Sequence, residues 1–110
     1  MLIGVGCDIT KINRFKDKEM SFVQKILSDT ELKIYYQKEG KQKEEFLAGR
    51  FCAKEAIIKA LPYDKQLDMT QINIFYKNEK PMCLLKGYTV HISIAHEKEY
   101  AISYVCITKD

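Results

Sequence analysis

Apolar residues recur along this chain with two periods, and the change between them divides it. From Leu2 to Ile9 they alternate as on a strand: Ile3, Val5, Cys7 and Ile9 share one face, and Leu2, Gly4, Gly6 and Asp8 the other. The two glycines strip bulk from that second face, which in a strand marks close approach of another backbone, a helix or a ligand. Asp8 points the way they clear. The period then becomes helical. A short helix is expected over roughly Asp17 to Leu27, with Met20, Val23 and Leu27 on one face. Ser28-Asp29-Thr30-Glu31 has the form of a capping box, Ser28 as N-cap and Glu31 reaching back, so another helix runs through Leu32, Tyr35 and Tyr36. Lys38 to Lys43 reads as a charged loop. After Pro62 alternation returns, over 71–77, 82–85, 89–96 and 100–107. Both faces of the last segment are mostly apolar, which predicts a central strand or one covered on both sides. An N-terminal strand, then helices, then an antiparallel meander make an α+β fold in a single domain, 1–110.

The stretch from Glu44 to Leu61 organises the rest. It is rich in good helix formers and is stopped by Pro62. At about 100° per residue, Phe46, Leu47, Phe51, Ile57, Ile58 and Leu61 gather on one broad face. Arg50 and Lys54 fall inside that apolar arc, and Glu55 and Lys59 sit at its edge, one turn apart. Lysine and arginine are rarely buried alone, because desolvating a charge is costly. Either these side chains snorkel past the core edge, or they line a cleft that receives something anionic.

Composition narrows the choice. Of 110 residues, 46% are hydrophobic and 30% charged, as in a soluble globular protein with a modest core. The net charge of +3 suits an anionic ligand or an acidic partner but is too weak to indicate nucleic acid. The apolar runs are too short to span a membrane, and the N-terminus lacks the pattern of a signal peptide, so a cytoplasmic location is expected. Cys7, Cys52, Cys83 and Cys106 are scattered singly and read as core thiols.

No nucleophilic triad is justified: Ser93 and His96, three apart on a strand, face opposite ways. His91 and His96 lack a third partner for zinc. What remains is Asp8 and Glu55 with Arg50, Lys54 and Lys59 close by. Mg2+ is typically held by one or two carboxylates and substrate phosphates, and lysine and arginine neutralise the remaining phosphate oxygens. That set suits phosphoryl-group transfer, where positioning and charge stabilisation do most of the catalysis. The meeting of Asp8 and Glu55 is inferred from a glycine-cleared strand face turned toward a helix.

Gly4-Val5-Gly6-Cys7-Asp8-Ile9, Arg14, the run Phe46-Leu47-Ala48-Gly49-Arg50-Phe51-Cys52-Ala53-Lys54-Glu55-Ala56 with Lys59-Ala60, and Ser93-Ile94-Ala95-His96 occur in that order. Together they resemble the bacterial holo-(acyl-carrier-protein) synthase family of 4′-phosphopantetheinyl transferases, over nearly the whole chain. The resemblance implies that family's fold and its reaction. The 4′-phosphopantetheine arm of coenzyme A passes to a serine of an apo acyl carrier protein, adenosine 3′,5′-bisphosphate leaves, Mg2+ is required, and the product serves fatty acid biosynthesis. By the same resemblance Asp8 and Glu55 match the metal ligands, and with Lys59, at the phosphates, they form the catalytic set. Arg50, Lys54, Lys59 and His96 match positions near coenzyme A, and Arg14 matches the surface that docks the carrier. The family also implies a homotrimer with active sites between subunits, so that the arc's edge becomes an interface cleft.

The chain departs from the pattern in places. Pro62-Tyr63-Asp64-Lys65 stands where a glycine-containing loop near the nucleotide is common. Asn78-Glu79-Lys80 stands where a turn glycine is usual, and Glu97 follows His96 where a small or polar residue is common. Two other classes remain: a noncatalytic homologue that binds coenzyme A or a carrier, and a nucleic-acid-binding module using the basic residues and tyrosines. The second lacks a binding motif, and its carboxylates would repel phosphate.

Overall fold

The computed structural model describes all residues from Met1 to Asp110. Five strands form one antiparallel sheet: β1 (Leu2–Lys11), β2 (Ile74–Lys77), β3 (Lys80–Leu85), β4 (Tyr88–His96) and β5 (Tyr100–Lys109), in the order β1-β5-β4-β3-β2. The helices α1 (Met20–Val23), α2 (Asp29–Tyr35) and α3 (Lys41–Ala60) lie between β1 and β2 in the chain. The meander is built from hairpins. Asn78 and Glu79, at φ 52° and 63°, make the β2–β3 turn, and Gly87, at φ 87°, lies in the turn from β3 to β4. The N-terminal strand then pairs with the C-terminal one, Cys7 opposite Tyr104 and Asp8 opposite Ser103.

That pairing makes β5 an inner strand, as its two apolar faces predict. Ala101, Ser103, Val105 and Ile107 are buried beneath α3. The opposite face is not covered within the chain: Ile102 is 47% and Tyr104 53% exposed, beside Val5 and Ile9 of β1 at 50% and 63%. Of the two alternatives expected for this strand, the central position holds, and one of its faces is covered within a single chain.

Helix α3 spans the inner face, with Leu47, Ala48, Cys52, Ala53, Ala56, Ile57 and Ala60 buried. Its N-terminal half packs with Ile12, Phe15, Val23 and Leu27, and its C-terminal half with Ile72, Ile74, Val105 and Ile107. It begins at Lys41, inside the stretch expected as a loop, because Gly40 at φ 57° turns the chain directly into it. The helix expected over 17–27 shrinks to four residues. A 3₁₀ turn over Ile12–Phe15 buries Ile12 and Phe15, and Asp17 takes φ 51°, which ends regular structure there. The strand expected from residue 71 starts at Ile74, since Met69–Gln71 form a 3₁₀ turn capped by Asp68. The capping box at Ser28 and Glu31 is present as expected.

Candidate active site

Strand β1 crosses α3 without side chains between them. A Cβ on Gly4 would stand 1.8 Å from the Ala60 carbonyl oxygen, and one on Gly6 1.9 Å from that of Ala56. These separations are far inside contact distance, so only glycine permits this crossing. The glycines therefore clear space for a helix, and the next residue on the same strand face, Asp8, comes to lie against α3 one turn earlier. The Cys52 thiol donates to the Asp8 main-chain oxygen at 3.2 Å and to that of Ala101 at 3.5 Å. Burial pushes the Cys52 thiol up to about 12, with the Asp8 carboxylate adding to the effect.

The Asp8 carboxylate is held at both oxygens. Thr10 Oγ1 donates to Oδ2 at 2.8 Å, and Lys59 Nζ donates to Oδ1 at 3.2 Å. Lys59 also donates to the Cys7 carbonyl at 3.0 Å. Its side chain is 52% exposed and that of Asp8 15%, so the pair borders solvent. Glu55 stands one turn before Lys59 on α3 and makes no ion pair of its own within the chain. The structure thus brings Asp8 to the stretch of α3 that bears Glu55 and Lys59. The Asp8 carboxylate is an oxygen donor of the kind a hard divalent cation takes, and a cationic group already rests on its Oδ1. Glu55, on the same helix as Lys59, is the other carboxylate that could serve such an ion, with places left for water and substrate oxygens.

Arg50 and Lys54 do not join that group. Five residues on an α-helix turn through about 140°, so Arg50 and Glu55 face different ways. Both cations turn instead toward Glu31, the capping-box residue of α2, whose side chain is 1% exposed. Glu31 Oε1 accepts from Lys54 Nζ at 2.5 Å and from the Ser28 N–H at 2.9 Å. Its Oε2 accepts from the Ile74 N–H at 3.0 Å and faces Arg50 Nε at 3.4 Å. Lys54 Nζ donates further to the carbonyls of Ile26 at 2.7 Å and Met69 at 2.9 Å. All three of its protons are spent on the protein. The reading of Lys54 as a coenzyme A contact is therefore replaced: its side chain is fully buried and ties α3 to α2 and β2. Desolvation lowers the pKa of Lys54 and of Arg50, and the Glu31 charge works against that in both.

Arg50 keeps one opening. Its guanidinium lies over the rings of Phe46 at 4.4 Å and Tyr76 at 5.1 Å. With Lys38, Glu45 and His96 these residues line a hollow of about 300 Å3. His96 Nδ1 is 3.8 Å from the Glu45 carboxylate. Arg50 and His96 therefore share a place, apart from Asp8 and Lys59. Arg14 is exposed, with its guanidinium 5.5 Å from the Phe15 ring and 5.6 Å from the Phe51 ring.

Three residues escaped the sequence reading. Thr10 lay beyond the expected strand end, although an i+2 spacing from Asp8 puts both on one face. Glu31 read as a cap alone, although two cations in an apolar arc call for a buried anion. Cys52 read as a core thiol alone, and its link to Asp8 spans 44 positions of chain.

Residues 4–105 match a family model described as the 4′-phosphopantetheinyl transferase superfamily. A holo-(acyl-carrier-protein) synthase of Mycoplasma mycoides is 47% identical over 103 residues, 93% of this chain and 91% of that one. The protein of that name from Bacillus subtilis is 41% identical and covers 99% of this chain and 98% of its own. The crystal structure of the Bacillus anthracis holo-(acyl-carrier-protein) synthase in complex with CoA (3′,5′-ADP) superposes with a TM-score of 0.89, at 30% identity, over 100% of this chain and 99% of that one. The structure of a holo-ACP synthase from Plasmodium yoelii gives 0.85 at 27% identity, over 100% and 97%.

Proposed function

Since this chain belongs to the 4′-phosphopantetheinyl transferase superfamily, we propose that it transfers the 4′-phosphopantetheine group of coenzyme A to a serine of an apo acyl carrier protein. The serine oxygen forms a bond to the β-phosphorus of the pyrophosphate, the bridging P–O bond breaks, and adenosine 3′,5′-bisphosphate leaves. The observation that carries the reading is the contact of Lys59 with Asp8 across the glycine crossing, which puts a carboxylate and a half-exposed cation at one solvent-facing point.

Asp8 and Glu55 would hold Mg2+. When bound, the ion supplies positive charge to the phosphate oxygens and orients them. Lys59 is long enough and exposed enough to pass from Asp8 to a phosphate oxygen, where its charge offsets that of the transition state. Arg50 and His96 take part of coenzyme A from their own hollow. We infer a homotrimer with the complete site between subunits, a reading supported by the separation of that hollow from the Asp8 group within one chain. The exposed apolar face made by Val5, Ile9, Ile102 and Tyr104 suits burial against another copy. Arg14 docks the carrier, and a chain of charge +3 attracts an acidic partner at long range. The whole chain, 1–110, acts as one transferase domain in the cytoplasm, where it supplies fatty acid biosynthesis. No helix in it is long and apolar enough to cross a membrane.

Incubating apo acyl carrier protein with this protein, coenzyme A and Mg2+ tests the reading by intact mass. The carrier is expected to gain one phosphopantetheine arm with Mg2+ and none with a chelator. A carrier of unchanged mass in both samples would overturn it.

A further inference from the structure

We propose that Thr10 is a positioning residue for Asp8, selecting which carboxylate oxygen is presented to the divalent cation; the inference rests on the metal-dependent transfer proposed above. Thr10 and Asp8 lie two apart on β1 and so on one face of it. Thr10 is 2% exposed, and its hydroxyl donates to Asp8 Oδ2 at 2.8 Å. The other oxygen, Oδ1, is the one that meets the exposed Lys59 ammonium. The two oxygens are therefore inequivalent: one is pinned toward the interior and the other is left at the solvent border.

An aspartate carboxylate otherwise turns over a broad χ2 range. Threonine is stiff at χ1, so its hydroxyl is set in place before any ligand arrives. The main chain of Asp8 is anchored as well. Cys52 bridges its carbonyl to that of Ala101, and Ala101 is the residue paired with Thr10 across the sheet. With backbone and Oδ2 both fixed, the direction of Oδ1 is the only one Asp8 offers. Partners one layer behind a metal ligand typically alter metal affinity about ten- to hundredfold.

The test uses the full chain as Thr10→Val, Thr10→Ala and Thr10→Ser. Mn2+ binding is measured by the electron paramagnetic resonance of free ion, with coenzyme A present and carrier absent, so that nothing turns over. The Mg2+ concentration giving half-maximal transfer and the melting temperature are measured alongside. The variants without a hydroxyl are expected to weaken Mn2+ binding by about ten- to hundredfold and to raise the half-saturating Mg2+ in parallel, with kcat at saturating Mg2+ within about threefold of wild type. The serine variant, which keeps the hydroxyl, stays within about threefold of wild type in Mn2+ binding. Unchanged Mn2+ affinity in the valine and alanine variants would overturn the role of Thr10. So would equal losses in all three, which mark a packing effect. Wild-type protein that binds Mn2+ but transfers nothing would refute the transfer reaction alone, whereas wild-type protein that transfers yet binds no Mn2+ would refute the role of Thr10 alone.

Discussion

Gly6 and Ala56 touch backbone to backbone: a Cβ on Gly6 would stand 1.9 Å from the Ala56 carbonyl oxygen. This contact sets the distance between β1 and α3, and with it the place where Asp8 meets Lys59. Gly6→Ala forces the two elements apart and is expected to cost about 1–3 kcal/mol or more, as overpacking does. The melting temperature falls, and the Mg2+ requirement of the variant rises because Asp8 moves away from α3. An alanine variant as stable as wild type would show that the crossing is not tight.

At the carboxylates the expected losses are chemical rather than structural. Asp8→Asn and Glu55→Gln keep side-chain size and remove charge, so transfer drops by about a hundredfold or more while the circular dichroism spectrum is unchanged. Near-normal turnover in both would remove them from the site.

Glu31 is the anion on which two buried cations depend. Glu31→Gln leaves Lys54 and Arg50 facing a neutral amide, and is expected to destabilise the chain by about 3–5 kcal/mol in urea unfolding. Joint replacement, Glu31→Leu with Lys54→Met, recovers part of that loss, since the lysine charge goes with the carboxylate. A double variant as unstable as the sum of the single ones would refute the pairing.

Arg14 stands clear of both groups of site residues. Arg14→Glu is expected to raise the KM for the carrier at least about tenfold at low salt and leave coenzyme A binding nearly unchanged, the difference shrinking as salt rises. Equal losses for both substrates would count against docking.

Alkaline pH reaches the core through its thiols. Burial pushes Cys52 up to about 12 and Cys83 up to about 11, from 9.0. Below pH 9 both are protonated whether the chain is folded or not, and their contribution is intact. Above it the unfolded chain releases protons that the folded chain keeps, so stability falls by about 1.4 kcal/mol per pH unit for each thiol. The fall ends for Cys83 near 11 and for Cys52 near 12. Lys54 and Arg50, with lowered values, release protons earlier in the folded chain and oppose the fall, Lys54 below its ordinary 10.5 and Arg50 below its ordinary 12.5. Urea midpoints from pH 8 upward, compared with Cys83→Ala, measure the Cys83 part as the difference in slope.

Local pattern carried much of this protein. Alternation marked β1, β4 and β5, the helical period marked α3, and the Ser28–Glu31 spacing marked the start of α2, because hydrogen bonding along a short segment and burial of one face depend on near neighbours alone. Asp8, Glu55 and Lys59 stood out as candidates for a related reason: charges beside an apolar arc, and an aspartate behind two glycines, violate the ordinary pattern. What the pattern left undecided was which charges meet. Arg50 and Lys54 sit in the arc at whose edge Glu55 and Lys59 stand, yet they turn to Glu31, 19 and 23 positions away, since a buried cation goes to the anion that the packed fold brings nearest. The direction in which Asp8 points is likewise decided by Thr10, Cys52 and Lys59, which converge on it only once β1 has closed against β5 and α3. Register between strands from opposite ends of the chain, and the approach of a strand to a helix, are long-range quantities; only the folded chain sets them.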